Sequence, residues 1–329
     1  MACCQQMRIL VIGAGVIGSV YAGTLAEAGN EVTLLARGDR LSELRNAGLR
    51  LRRVGEQDRR PDVAVVDRID GERHDLVVLA VRREQAADAA GEVSLVAADA
   101  VMLFGNFAGL LKDLAAQAGM DRTIVGFPGV GGRLVDGSVE YVLVDQQPTM
   151  VGQIRESSRR AEDIAVCLRA AGFATRVEPD VEGWLGSHAA LVVPLAAAIV
   201  AAAGSAAALS RRNDLLRAAA RATRGIYLAQ QRGGRLVINS NLRLLYLRMP
   251  RWFAVLYWAR ALRGEFGELA FAAHSRHAWT EMALLGSWLM STLTEEREAA
   301  DSLQRLLDLA AAAAPAGPSE IPLPVHGNQ

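Results

Sequence analysis

Six consecutive residues near the start of the chain have the glycine spacing of a phosphate-binding turn. The run Gly13-Ala14-Gly15-Val16-Ile17-Gly18 has the form G-x-G-x-x-G, follows an apolar segment of strand type and opens a helical pattern. In such a turn the first glycine allows a sharp reversal, the second lets the backbone approach a pyrophosphate, and the third lets the helix pack closely on the strand. The helix amino terminus adds unpaired N–H groups and a positive dipole. The run therefore predicts a dinucleotide site.

Two arginines after the second predicted strand bear on which dinucleotide binds. Residues 32–36 are followed by Arg37-Gly38-Asp39-Arg40. An enzyme selective for NAD usually has an acidic residue at the end of this strand, where it accepts hydrogen bonds from the ribose hydroxyls. Arg37, with Arg40 as a second candidate, would instead pair a guanidinium with a 2′-phosphate. We therefore predict NADP, and Asp39 is the residue that would favour NAD.

These residues need a parallel sheet to position them, and the first half of the chain has the alternating pattern of one. Short, nearly continuous apolar runs predict parallel strands covered on both faces. Helical patterns lie between them, as in a doubly wound α/β fold. The predicted strands cover residues 8–12, 31–36, 75–81, 100–104, 123–127, 139–144, 149–154 and 174–177, and the predicted helices cover residues 15–28, 83–90, 109–119 and 157–171.

The pattern changes near residue 180, after which only helical segments follow. We predict an α/β plus all-α protein with a Rossmann-like NADP-binding domain over residues 1–179 and a helical substrate and dimerisation domain over residues 180–310. An alanine tract and four prolines predict a flexible tail over residues 311–329. Residues 189–209 are uncharged for the length of a membrane span, but their alanines, Pro194 and Gly204 favour a buried helix.

Composition narrows the classes of partner. The 36 basic residues balance 36 acidic ones, so there is no electrostatic reason to expect nucleic acid or an anionic membrane, and a small-molecule substrate is expected.

Of the three cysteines, Cys3 and Cys4 are adjacent. They cannot form a disulfide framework, and no Cys/His cluster has zinc-ligand spacing. A reducing, cytoplasmic location and no metal are therefore expected. Lys112 is the only lysine.

Several segments along the chain resemble the ketopantoate reductase family. They are residues 7–15, Arg37, Val81-Arg82, Gly105-Asn106-Phe107, and residues 126–132, 149–152, 184–194 and 280–282. The resemblance implies an NADPH-binding Rossmann domain followed by a helical domain. It places Arg82 and Asn106 near the cofactor and adds Gly131 to the expected cofactor-binding residues.

The departures from the family concern the proton donor. The family has a lysine two residues after a tryptophan, and this lysine acts as general acid; asparagines follow one and two helical turns later. Counted from Trp184, these three positions hold Gly186, Ala190 and Pro194. The resemblance therefore implies an intact cofactor half and an altered substrate pocket.

Three polar residues at family-matching places are candidates for catalysis: Glu281, His188 and Asn106. His188 lies two residues after the position of the lost lysine, and histidine is a residue type suited to proton transfer near neutral pH. Each of the three also has an interpretation without a catalytic role. His188 would be a structural or hydrogen-bonded histidine of a helix, Asn106 a turn residue, and Glu281 a solvated carboxylate on a helix. His274 and His277 precede Glu281 with helical spacing, but no further ligand is apparent, and we predict no metal site.

The leading hypothesis is an NADPH-dependent reductase of a 2-oxo acid or a related small carbonyl or imine compound. It would resemble ketopantoate reductase without specificity for ketopantoate, and a homodimer is expected. Two alternatives remain open, because the family lysine is absent. One is a non-redox enzyme on the same fold, such as a cyclase or isomerase. The other is an NADP-binding regulator without turnover.

Overall fold

The apolar runs of the first half pair as the strands of one large sheet. The computed structural model describes residues 6–69, 71–144, 147–154, 160–264, 267–272 and 279–314. Its strands are β1 (Arg8–Ile12), β2 (Glu31–Leu35), β3 (Leu51–Arg53), β4 (Ala64–Val66), β5 (His74–Leu79), β6 (Ala98–Phe104), β7 (Thr123–Phe127), β8 (Val130–Val135), β9 (Ser138–Leu143), β10 (Thr149–Gln153) and β11 (Thr175–Val177).

The large sheet has the order β11-β10-β7-β6-β5-β1-β2-β4. The six strands from β4 to β7 run parallel, whereas β10 is antiparallel to β7. The chain order reverses between β1 and β5, which creates the crevice where doubly wound sheets bind ligands, beyond the carboxyl ends of the strands. The predicted Rossmann-like sheet is confirmed.

Helices of the first half cover both faces of this sheet. They are α1 (Val16–Glu27), α2 (Gly38–Ala47), α3 (Ala86–Val93), α4 (Leu111–Ala118) and α5 (Arg160–Ala170), with short 3₁₀ turns at Arg83–Gln85 and Met120–Arg122. Alternate residues of the central strands enter two separate cores. Ile9 and Val11 of β1 lie in the core beneath α1, whereas Leu10 and Ile12 lie in the core that includes α3 and α4.

Four elements were missing from the sequence-based prediction: β3, β4, β8 and α2. The strands β3, β9 and β8 form a separate three-stranded sheet, so the predicted strand at 139–144 lies outside the large sheet. Helix α2 buries only Leu44. A helix with one buried side chain has no apolar stripe, which explains why the periodic pattern did not indicate it.

The second half is helical throughout its described residues. Its elements are α6 (Val181–Ala201), α7 (Ala206–Leu209), α8 (Asn213–Arg232), α9 (Ser240–Arg243), a π-helical turn at Leu244–Arg248, α10 (Arg251–Ala261), a second such turn at Glu268–Ala272, α11 (Trp279–Ser291) and α12 (Arg297–Ala313). Sheet gives way to helix between Val177 and Val181. The division into domains at residue 179 stays a prediction.

Helix α6 is the central helix of this half. By length and composition it is apolar enough to cross a membrane, but 78% of its most apolar window is buried inside the protein. It packs against α8, α11 and α12. Burial by these helices accounts for its apolar composition, as predicted for a core helix.

The predicted tail is wrong at its start. Helix α12 continues through Ala313, so the alanine tract at 311–313 extends a helix. Alanine has the highest helix propensity, which favours this continuation. The rest of the predicted tail, from residue 315, and the histidines His274 and His277 lie outside the described residues.

Candidate active site

The fingerprint turn has the geometry that a pyrophosphate needs. Gly13 has a φ of 108°, and a Cβ there would overlap the carbonyl oxygen of Ala80 at the end of β5. A Cβ on Gly18 would overlap the carbonyl oxygen of Gly13. Gly15 caps α1 without any side-chain hydrogen bond, and a Cβ on Gly15 would meet nothing within 4 Å. The turn is thus closed against the sheet and open at the helix amino terminus, which fits a bound phosphate group.

The β8–β9 hairpin and Arg40 both lie against the fingerprint turn or the start of α1. Gly131 lies in β8 beside Gly132, where a Cβ would be 3.0 Å from Val16 Cγ1 in the first turn of α1. Arg40 Nε donates to the carbonyl of Ala14 (3.2 Å), and Arg40 Nη1 donates to the carbonyl of Gly137 (3.0 Å). The Arg40 side chain is only 14% exposed. These contacts support a role for Arg40 in shaping the turn, whereas direct cofactor binding by Arg40 stays a prediction.

Two exposed arginines flank the crevice. Arg37 follows β2, and its Nη2 lies 2.6 Å from Glu92 Oε2 on α3. Its side chain is 61% exposed. Arg82 follows β5, is 58% exposed and lies 4.0 Å from Glu84. Both therefore occupy strand ends where a dinucleotide would pass, but both already have a carboxylate nearby.

Asn106 connects the sheet to the helical half. Its Nδ2 donates to the carbonyl of Leu185 in α6 (3.3 Å), and its Oδ1 accepts from the backbone N–H of Ala108 (3.2 Å). The residue is 4% exposed. Since both ends of the amide have backbone partners, these contacts support a positioning role. Contact of Asn106 with substrate or cofactor stays a prediction.

Glu281, in the first turn of α11, is directed toward the turn that follows β5. Burial, and after it the nearby Glu84, raise the pKa of its carboxyl, and the guanidinium groups of Arg83 and Arg82 partly offset the rise, so that the pKa is about 7. Arg83 itself donates to the carbonyls of Asn106 (3.2 Å) and Ala108 (2.8 Å). One buried arginine thus links the surroundings of Glu281 to the turn that carries Asn106.

His188 lies in a group of aromatic rings at the end of β7. Its ring stacks on Trp184 with centroids 5.0 Å apart and an interplanar angle of 16°. Phe127, the last residue of β7, lies 4.3 Å from the imidazole centroid. All three side chains are half-buried. The imidazole therefore presents a partly exposed ring at the same edge of the sheet as the other candidates.

Gly186 faces a tryptophan that the sequence analysis did not single out. A Cβ on Gly186 would lie 3.3 Å from Cη2 of Trp288 and 3.8 Å from Nε2 of Gln230. Gln230 donates to the Gly186 carbonyl (3.1 Å). Trp288 lies seven residues after Glu281, which places both on one face of α11. That seven-residue spacing could have indicated that Trp288 lies near Glu281, but nothing in the sequence indicates that Trp288 lies near Gly186.

The candidate residues follow the carboxyl edge of the sheet in strand order. The fingerprint turn follows β1, Arg82 and Arg83 follow β5, Asn106 follows β6, and Phe127 ends β7. Helices α6 and α11 bring His188, Trp288 and Glu281 to the same edge from the other half. The arrangement places the fingerprint turn and an acid with a pKa of about 7 along one crevice.

Comparisons with known proteins agree with this architecture. Residues 9–156 match the family described as ketopantoate reductase PanE/ApbA. A 2-dehydropantoate 2-reductase of Pyrococcus abyssi is 26% identical over 185 residues, which are 56% of this chain and 60% of the relative. The corresponding enzyme of Pyrococcus horikoshii is also 26% identical, over 54% of this chain and 58% of that protein. The aligned regions therefore span about three fifths of the curated relatives.

Solved structures match nearly the whole chain. The ternary structure of D-mandelate dehydrogenase with NADH and anilino(oxo)acetate has a TM-score of 0.74 and 13% identity, covering 93% of this chain and 98% of that one. The 2-dehydropantoate 2-reductase of Geobacter metallireducens has a TM-score of 0.70 and 17% identity, covering 93% and 100%. At such identities the structures establish the fold. The family match covers residues 9–156, so the first half of this chain resembles the ketopantoate reductase family, and the whole chain has the fold of these solved structures.

Proposed function

We propose that the protein is an NADPH-dependent reductase of a 2-oxo acid or a related small carbonyl or imine compound. The observation that carries the proposal is Glu281, a half-buried acid with a pKa of about 7, at the same sheet edge as the fingerprint turn. Reduction of a carbonyl needs a bound hydride donor and an acid that protonates the forming alkoxide. The crevice offers a place for the hydride donor, and Glu281 is the candidate for the acid.

A nicotinamide dinucleotide fits the residues present. The open amino terminus of α1 would hold the pyrophosphate, and Arg37 would pair with a 2′-phosphate. Arg82 and Gly131 lie at positions that the family resemblance assigns to the cofactor site. When bound, NADPH would supply a hydride to the carbonyl carbon. The names of the relatives, which include 2-dehydropantoate 2-reductases and a D-mandelate dehydrogenase crystallised with NADH, support this class of reaction.

Glu281 would act as the proton donor in this reaction. A carboxyl with a pKa of about 7 is half protonated at neutral pH, so it can both donate a proton and regain one from solvent. Asn106 would hold α6 in register with the sheet through its bond to the Leu185 carbonyl. His188, with one ring face on Trp184, would contact the substrate or replace Glu281 as the acid.

The substrate differs from ketopantoate in this proposal. The place of the family lysine is Gly186, next to the Trp288 indole, so a polar anchor for the ketopantoate carbonyl is missing there. Specificity depends on such side chains rather than on the fold. The cytoplasmic location, the small-molecule partner and the homodimer that the sequence predicts stay predictions.

The test is NADPH oxidation with a panel of 2-oxo acids, followed by nicotinamide absorbance. We expect turnover with at least one 2-oxo acid, and faster turnover with NADPH than with NADH. Glu281→Gln should lower kcat by at least about tenfold, since general acid catalysis contributes factors of that size or larger. Glu298→Gln, an exposed carboxylate on α12, is the matched control and should leave kcat unchanged.

One result would contradict the reductase assignment, and a different result would contradict the role of Glu281. If no 2-oxo acid, simple ketone or imine oxidises NADPH, the reductase assignment is wrong, and products formed without NADPH would then identify a non-redox enzyme. If turnover occurs and Glu281→Gln matches Glu298→Gln, the reductase assignment stands. Glu281 would then be removed as the acid, and His188→Phe becomes the next variant to measure.

A further inference from the structure

One tryptophan, Trp288, lies between the two halves at the carboxyl edge of the sheet. A Cβ on Gly109, in the turn after Asn106, would overlap Cδ1 and Nε1 of the Trp288 indole. The other end of the same ring, Cη2, lies 3.3 Å from the place of a Cβ on Gly186 in α6. The indole therefore extends from the sheet half to α6, and a glycine lies at each end of it.

The two glycines are not equivalent. Gly109 has a φ of 81°, so a side chain there would be strained even without the tryptophan. Gly186 is helical and buried, and in that conformation alanine is normally preferred to glycine. Its lack of a side chain therefore matches the presence of the indole rather than any backbone requirement.

Trp288 is also well placed to meet a ligand. Its side chain is half-buried, so part of the ring remains accessible. It projects from the same face of α11 as Glu281, about 10 Å along the helix axis. Asn106 and Gly109 belong to one turn, so the indole lies beside the turn on which the proposed reaction depends.

We propose that Trp288 is a specificity-determining residue that forms the wall of the substrate space between the Asn106–Gly109 turn and α6. An indole face offers dispersion contact to flat apolar groups and no anchor for a hydroxylated side chain. The substrate would be a 2-oxo acid whose substituent is short or flat and apolar. Bulky, branched or hydroxylated substituents would be excluded. The inference rests on the proposed reductase function and names its substrate class.

The geometry can be tested without any activity, by a double-mutant cycle between positions 186 and 288. Gly186→Lys should lower the equilibrium constant for folding by at least about tenfold in the wild-type background, because the lysine stem meets the indole. The same change should cost much less in a Trp288→Ala background, where the space is free. Gly91→Lys, on α3 with nothing within 4 Å of its Cβ position, is the control and should show no such coupling.

A second pair separates steric contact from backbone strain at Gly109. Gly109→Ala and Gly29→Ala both place alanine at a positive φ, 81° and 91° respectively, but only Gly109 lies against the indole. Gly109→Ala should destabilise the protein more than Gly29→Ala, and Trp288→Ala should remove the difference. Equal effects of the two alanines, or an absence of coupling at 186, would overturn the assignment of the indole to this space.

Two measurements test the role of Trp288 in substrate specificity. One is the binding of 2-oxo acids to the complex of the protein with NADP⁺, in which no turnover occurs, and the other is kcat/KM with NADPH. Wild type should bind pyruvate and phenylglyoxylate at least tenfold more tightly than ketopantoate. The ratio of interest is the affinity for pyruvate or phenylglyoxylate divided by the affinity for ketopantoate. Trp288→Ala should reduce this ratio at least tenfold through changes in KM, with the Kd of NADPH unchanged. Leu284→Ala, an exposed residue of the same helix, is the matched control.

The outcomes separate this inference from the proposed function. If wild type reduces a 2-oxo acid and Trp288→Ala leaves the ratio unchanged, the inference is overturned and the reductase function stands. If wild type neither binds nor reduces any 2-oxo acid, the substrate class named here is overturned, and the proposed function is overturned as well if no simple ketone or imine oxidises NADPH. A changed ratio in Trp288→Ala together with an unchanged ratio in Leu284→Ala supports both.

Discussion

The raised pKa of Glu281 has a consequence for stability. The carboxyl has a pKa near 4.5 when unperturbed and about 7 in the folded protein, so between these values the folded protein holds a proton that the unfolded chain releases. The contribution of Glu281 to the free energy of unfolding should therefore be largest below about pH 4.5 and fall as pH rises through 7, by on the order of 3 kcal/mol.

Glu281→Gln should remove this slope, because glutamine cannot ionise. Urea denaturation at pH 5 and pH 8 measures it: the loss of stability between the two pH values should be smaller in Glu281→Gln than in wild type. Glu298→Gln should keep the wild-type slope. A slope shared by all three proteins would place the titrating group elsewhere.

In the proposed site Arg37 would favour NADPH over NADH, and the nearby carboxylate of Glu92 would oppose this preference. Arg37→Ala should weaken NADPH binding by about 1.5 to 3 kcal/mol, the range for a hydrogen bond to a charged group, and leave NADH binding nearly unchanged. Glu92→Gln removes the carboxylate that lies 2.6 Å from the guanidinium. It should strengthen NADPH binding by about two- to fivefold, as expected for an exposed ion pair.

Fluorescence titration of both cofactors measures these effects. Arg45→Ala is the matched control, because Arg45 lies on α2, the helix that begins directly after Arg37, is exposed and pairs with Asp67. It should change neither Kd. A loss of equal size for NADPH and NADH in Arg37→Ala would show that Arg37 does not bind the 2′-phosphate.

At the scale of elements, the turn after β6 is joined to α6 by the Asn106 side chain. Asn106→Ala would remove the bond to the Leu185 carbonyl and leave the N–H of Ala108, which is 1% exposed, without its acceptor. An unsatisfied buried donor costs about 1 to 3 kcal/mol. Urea denaturation should show a loss of this size. Asn46→Ala, exposed on α2, should be neutral, and equal stability of the two variants would contradict the linking role.

The elements that sequence could predict are those whose pattern reflects burial. The central strands are apolar on both faces, and their runs indicated β1, β2, β5, β6 and β7 directly. Strand β3 reads Leu-Arg-Arg and buries one residue, and α2 buries only Leu44. Such elements are held by neighbours distant in sequence, so local periodicity carries no signal for them.

The same limit applies to the site. The fingerprint turn was predictable, because its glycine spacing lies within six residues between a strand and a helix. The contact of Arg37 with Glu92 joins residues 55 positions apart, and the indole of Trp288 meets glycines in two other elements. These contacts depend on how helices pack, which no short motif encodes.

At the scale of the whole molecule, one apolar core runs from the sheet into the helical half. Val77 and Leu79 of β5 and Leu185 and Ala189 of α6 belong to the same buried cluster. The halves should therefore unfold in one transition. All five tryptophans lie between residues 184 and 288, so tryptophan fluorescence reports the helical half and circular dichroism reports both. Coincident urea midpoints are expected, and two separate midpoints would contradict the prediction.

The shared core also limits how the protein can acquire new substrates over evolutionary time. A helical half exchanged with that of a distant relative would have to bring an α6 that packs against the buried side chains of β5 and accepts the Asn106 bond at once. Recombination between diverged genes would therefore yield mostly misfolded chains. Descent with single substitutions at the sheet edge, where side chains from both halves meet, is the route that preserves the fold while the substrate changes.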